Sequence, residues 1–132
     1  MKVVLDTNVL VSALINPAGV PATILNLVLN GRVTLLYDNR IMAEYRAVLQ
    51  RGKFSFSPEL IEPLLEFMVS EGDFVAAEPL AIPFADAGDK KFLEVAQSGR
   101  ADCLITGNLR HFPAREDIMT PKRFLESILS QR

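Results

Sequence analysis

The stretch Val3-Val4-Leu5-Asp6-Thr7-Asn8-Val9-Leu10-Val11-Ser12-Ala13-Leu14 decides the fold class. Val3, Val4 and Leu5 are a short apolar, β-prone run that ends at the polar triplet Asp6-Thr7-Asn8, and Val9, Leu10, Ala13 and Leu14 then recur at helical spacing. The segment therefore reads as strand, turn, helix, with Asp6 at the carboxyl end of the strand. The same alternation continues outward. Ile24, Leu25, Val28 and Leu29 give a second helix stopped by Asn30-Gly31, and Val33 to Tyr37 is the next strand. Asp38 can cap a helix with Ile41, Met42, Tyr45, Val48 and Leu49 on one face and Glu44 beside that stripe. Ser57-Pro58 opens another helix running to Gly72, with a serine cap and an internal Pro63 expected to bend it or shift its start.

Further on, Phe74 to Ala77 reads as a short strand and Pro79 to Asp86 as irregular chain. Asp89 opens a helix with Phe92, Leu93 and Ala96 that Gly99 closes. Cys103 to Thr106 is a strand, and Pro121 to Leu129 a terminal helix with Phe124, Leu125, Ile128 and Leu129 inward. Short strands alternating with helices of about three turns argue an α/β fold with a parallel sheet covered on both faces. At 132 residues and 49% hydrophobic, without internal repeats or a linker, the expectation is one domain spanning 1–132.

Composition removes several function classes. One cysteine, Cys103, excludes an intramolecular disulfide and, with the lone His111, cannot build a four-ligand zinc site. The N-terminal apolar run is too short for a signal peptide, and no stretch approaches the ~20 apolar residues of a membrane span, so a cytoplasmic protein without membrane contact is expected. Fourteen basic against sixteen acidic residues leave a formal charge of −2, so a nucleic-acid partner must be met by local basic clusters. No Gly-x-x-x-x-Gly-Lys loop, Gly-x-Gly-x-x-Gly turn or Gly-x-Ser-x-Gly elbow is present.

Ligands of open parallel sheets bind beyond the carboxyl ends of the strands. Asp6 and Asn108 follow two strands, Glu44 lies within two helical turns of a third, and Asp86 and Asp89 stand one turn apart at a helix start. Each acid alone reads as a cap or a solvated flank; their coincidence at one sheet edge is what points to a site. Asp102 precedes its strand and is assigned a structural place. Two like charges at about 4 Å repel by roughly 4 kcal/mol at an effective dielectric near 20, so such a cluster needs protons or a cation. No Lys or Arg adjoins Asp6 in sequence, although Arg40, Arg46, Lys90 and Lys91 can approach in space. An all-oxygen set with Asn8 and Asn108 nearby suits Mg²⁺ or Mn²⁺, which would act on a phosphodiester. Arg110, His111, Arg40, Arg46, Arg51 and Lys53 are the candidates for phosphate or base contact.

Val3 to Ser12 with its Asp-Thr-Asn triplet, the helical Glu44, Asp86-x-x-Asp89-Lys90-Lys91-Phe92-Leu93-Glu94-Val95-Ala96, and Ala101-Asp102-Cys103-Leu104-Ile105-Thr106-Gly107-Asn108 together resemble the PIN-domain family, from residue 1 to about 124. They are most similar to its branch of VapC-like toxin ribonucleases. The resemblance implies a three-layer α/β/α fold around a parallel sheet of four or five strands and a Mg²⁺- or Mn²⁺-dependent endoribonuclease. It also implies a homodimer and a cognate antitoxin covering the acidic pocket. It assigns Asp6, Glu44 and Asp89 as catalytic metal ligands, with Asp86 and Asn108 as further members and Asn8 and Thr106 as supporting polar groups. Asn108 departs from the family pattern, which often has Asp there. A catalytically weakened RNA-binding or scaffold protein is the alternative. A receiver-like domain phosphorylated on Asp6 is disfavoured, because no second Asp lies two residues beyond it.

Overall fold

The computed structural model describes residues 1–130. Its sheet has five strands, β1 (Lys2–Leu5), β2 (Thr34–Tyr37), β3 (Asp73–Phe74), β4 (Cys103–Ile105) and β5 (Ile118–Met119), in the order β3-β2-β1-β4-β5. Every pairing is parallel. Six α-helices are described: α1 (Thr7–Ile15), α2 (Val20–Leu29), α3 (Asn39–Leu49), α4 (Pro58–Glu71), α5 (Lys90–Ser98) and α6 (Pro121–Leu129). Helices α1, α2 and α6 pack together, as do α3, α4 and α5, and the two groups flank the sheet in a three-layer α/β/α arrangement. No described helix is long and apolar enough to cross a membrane.

Burial explains the central strands. Val3, Val4 and Leu5 are inaccessible on both faces of the sheet, as are Leu35, Leu36 and the whole of β4, so these positions read as unbroken apolar runs rather than alternating ones. The chain leaves β1 toward β2 and β3 on one side, then returns to the other side of β1 for β4 and β5. Strand order therefore reverses between β1 and β4, a switch point beyond whose carboxyl ends sheets of this kind form a ligand crevice.

Several local expectations are corrected. Strand β3 occupies Asp73–Phe74 rather than Phe74 to Ala77, with Val75 N donating one further bond to Tyr37 O at 2.8 Å before the chain turns away. As an edge strand it has a single neighbour to hold it. Strand β5 has two residues and carries no period that a sequence pattern could reveal. Pro63 does not move the start of α4 from Pro58; it sits on the exposed face, where the freed Glu59 carbonyl can turn to water. Ser57 makes no side-chain cap bond. A 3₁₀ turn over Ala87–Asp89 precedes α5, so Asp89 ends that turn instead of capping the helix with its side chain. Gly99 does close α5, at φ −86°, and the left-handed residue is the next one, Arg100, at φ 54°. Gly99 is small for another reason, since a Cβ there would stand 2.8 Å from Val75 Cγ2 and 2.9 Å from Leu36 Cδ1.

Candidate active site

Asp6 occupies the N-cap position of α1, yet its side chain makes no cap bond. Its Oδ2 accepts from Thr106 Oγ1 at 2.8 Å and from Asn8 Nδ2 at 3.3 Å. Asn8 Oδ1 in turn accepts from Gly107 N at 3.1 Å, and Thr106 Oγ1 from Asn108 N at 3.0 Å. These bonds span the crevice between β1 and β4 and hold the buried Asp6 carboxylate toward it. Burial is the main cause that raises the proton affinity of Asp6; the Thr106 hydroxyl opposes it, and the charges of Asp89 and Glu44 add to it.

Glu44 is positioned by α3. Ile41, Met42, Tyr45 and Leu49 form the buried face of that helix, and the Tyr45 hydroxyl donates to Leu5 O at 2.6 Å, tying α3 to the end of β1. Burial, with Asp6 and Glu44 nearby, keeps the Tyr45 phenol protonated well beyond its ordinary range. Glu44 extends from the next position to accept from the Thr7 hydroxyl at Oε2 and from Lys91 Nζ at Oε1, the latter at 2.6 Å.

Asp89 is largely covered, its Oδ2 3.1 Å from His111 Nδ1. Burial raises its proton affinity first, then the charge of Asp86; His111 opposes this and Glu44 reinforces it. Asp86 is exposed and accepts from Gly88 N at 2.8 Å, which caps the 3₁₀ turn. The mutual field places Asp6, Glu44 and Asp89 in one electrostatic neighbourhood, with Asp86 at its margin. Among the described residues, however, no three acidic, histidine or cysteine side chains stand ready to hold one ion between them. Local partners engage both oxygens of Glu44, through Thr7 and Lys91, and one oxygen each of Asp6, through Thr106 and Asn8, and of Asp89, through His111.

The basic candidates separate. Arg40 chelates Asp38 Oδ2 through Nε and Nη2, both at 2.8 Å, and reaches buried Glu94 Oε1 at 2.8 Å, so its guanidinium is committed to packing. Arg46 pairs with Glu62 on α4, away from Glu44. Lys53 lies over the Phe54 ring, and Arg51 is exposed. Arg110 and Asn108 are exposed, and Arg110 shares a groove floored by Phe112 and Ile118 with Arg115 and Arg123. Of the four cations named as able to approach the acids, Lys91 alone makes a direct bond to one of them, at Glu44. Sequence reasoning missed Thr7 as a partner of Glu44, although a hydroxyl directly after Asp6 was the available signal. It also missed Glu94, whose place inside an otherwise apolar helix face was the clue.

A sequence model described as PIN domain matches residues 2–110. An uncharacterized protein of Methanocaldococcus jannaschii, MJ1680, is 28% identical over 141 residues, covering 96% of this chain and 90% of that protein. No solved structure matches at comparable significance.

Proposed function

The chain belongs to the PIN-domain family, and from that premise we propose that it is a divalent-metal-dependent endoribonuclease acting at the β1–β4 crevice. PIN domains are generally metal-dependent nucleases. The observation that carries the reading is Asp6: a buried carboxylate in a cap position that does no capping and shares its field with Glu44 and Asp89. All the donors are carboxylate, amide or hydroxyl oxygens, a set suited to Mg²⁺ or Mn²⁺ and not to zinc. The donor chemistry fits such an ion, and Asp6, Glu44 and Asp89 would hold it, with Asp86 and Asn108 beside them. A bound divalent ion supplies charge to neutralise the acids, polarises the phosphodiester and strengthens a water nucleophile.

The chain's own residues prepare that chemistry. Thr106 and Asn8 fix Asp6 through its Oδ2, and Thr7 and Tyr45 fix α3 and with it Glu44. His111 holds Asp89, and the adjacent groove bearing Arg110, Arg115 and Arg123 suits the RNA backbone. By family analogy we read residues 1–132 as one PIN-like domain, the cytoplasmic toxin of a toxin–antitoxin pair. Homodimerisation and an antitoxin over the acidic pocket belong to the same reading.

Calorimetric titration with Mn²⁺ together with cleavage of a labelled RNA tests it. The wild type binds the ion and cuts, and Asp6→Asn loses both. The second reading, an RNA-binding or scaffold protein with weakened catalysis, is favoured by the neutral Asn108; RNA bound but left intact in Mn²⁺ establishes it instead.

A further inference from the structure

Lys91 is a lysine in an unusual setting. Its side chain is only 13% exposed, its Nζ is 2.6 Å from Glu44 Oε1, and it also donates to the Gly88 carbonyl. It lies 4.9 Å from the centroid of the Phe92 ring, whose face favours a cation. The two arginines of α3 are committed elsewhere, Arg40 to Asp38 and Glu94 and Arg46 to Glu62. Asp6, Glu44 and Asp89 carry three formal negative charges when ionised, and the Lys91 ammonium offsets one of them. An ammonium is a compact charge on a flexible stem, so it can leave a carboxylate without rebuilding the fold around it.

Resting on the metal-nuclease reading above, we propose that Lys91 is the resident counter-cation of the acidic pocket and that it exchanges with the divalent ion at Glu44. In the free protein the ammonium neutralises Glu44. When the ion is taken up, Glu44 is shared or surrendered and Lys91 is released from Oε1. This accounts for the ligand arrangement, in which the carboxylates converge in field while Glu44 is held by a side-chain cation.

Two measurements test the exchange. The first compares Mn²⁺ affinity of wild type, Lys91→Met and Lys91→Arg by calorimetry. Removing a unit charge about 5 Å from a divalent ion, screened by water, predicts about tenfold tighter binding in Lys91→Met, while Lys91→Arg stays near wild type. The second uses the wild type alone and so needs no variant to fold: acylation of lysines with a succinimidyl ester, read by mass spectrometry with and without Mn²⁺. Lys91 reacts several-fold faster with the ion present, and the exposed Lys2 does not change. Mn²⁺ binding of unaltered affinity in Lys91→Met, or unaltered Lys91 acylation while Mn²⁺ is bound, overturns the exchange and leaves the nuclease reading standing. Absence of Mn²⁺ binding to both wild type and Lys91→Met overturns both.

Discussion

Two clusters of acids stand at the same edge of the sheet, and they solve like-charge crowding in different ways. Asp38 follows β2 as Asp6 follows β1, and each begins a helix. Asp38 caps that helix through Ile41 N at 3.0 Å, and Arg40 binds it and Glu94 together, while Glu94 also accepts from Leu80 N at 2.8 Å. That cluster is closed. Burial works against the Glu94 charge, but the Arg40 and Leu80 bonds outweigh it and hold its proton affinity below the ordinary range. The Asp6 cluster has three acids, no arginine and a single bonded ammonium, and the proton affinities of Asp6 and Asp89 are raised. The comparison separates an acid pair that has finished its electrostatics inside the fold from a group that still calls for positive charge.

The largest expected effect breaks the contrast at Asp6. Asp6→Asn lowers RNA cleavage in Mn²⁺ by more than the about 10- to 100-fold typical of losing a supporting partner of a metal site, measured with a labelled substrate. The same variant gains stability in metal-free buffer. Because the folded state raises the Asp6 and Asp89 values, their contribution to stability is present below the ordinary 3.8 and is lost as pH rises through the folded values. Thermal unfolding against pH therefore shows Asp6→Asn more stable than wild type near pH 7, with the gap closing as the pH falls from the raised folded value toward the ordinary 3.8.

Next in size is the closed cluster. Arg40→Ala leaves buried Glu94 uncompensated and costs about 2 kcal/mol in denaturant unfolding at neutral pH; half of Arg40 is exposed, which keeps this below the ~3–5 kcal/mol of a fully buried pair. The sign with pH is opposite to that of Asp6. The stability that Glu94 supplies is present above its ordinary 4.5 and is lost as pH falls through its lowered folded value, so the Arg40→Ala deficit shrinks in acid. Asn108→Asp adds a charge at the margin of the open cluster and tightens Mn²⁺ binding about fivefold, as expected for one charge roughly 8 Å from a divalent ion in water. Smallest is Asp86→Ala, which removes the cap of a one-turn 3₁₀ segment at a cost of about 0.5 kcal/mol, with Mn²⁺ affinity changed far less than in Asp89→Ala.

The open cluster's frame was legible in the sequence because its cues are local. A buried parallel strand is a continuous apolar run, so β1 and β4 announced themselves, and the residue after each gave Asp6 and the Thr106–Asn108 turn. Edge strands gave less: β3 slid by a residue and β5 offered only Ile118 and Met119. The direction of a long side chain was not legible at all. Arg40 and Arg46 lie on one helix near Glu44, but one turns to Asp38 and Glu94 and the other to Glu62, choices fixed by which helices pack against α3. Lys91 reaches Glu44 across a separation of 47 residues, which no local pattern encodes. Asp86 and Asp89, alike in sequence, part because the intervening 3₁₀ turn exposes one and covers the other.

The most direct measurement is an anomalous difference map from crystals soaked in Mn²⁺. The expected result is a peak at the β1–β4 crevice, within about 2.0–2.3 Å of carboxylate oxygens of Asp6 and at least one of Glu44 and Asp89. A crevice without a peak under conditions where the ion binds elsewhere, with Asp6 still held only by Thr106 and Asn8, contradicts it.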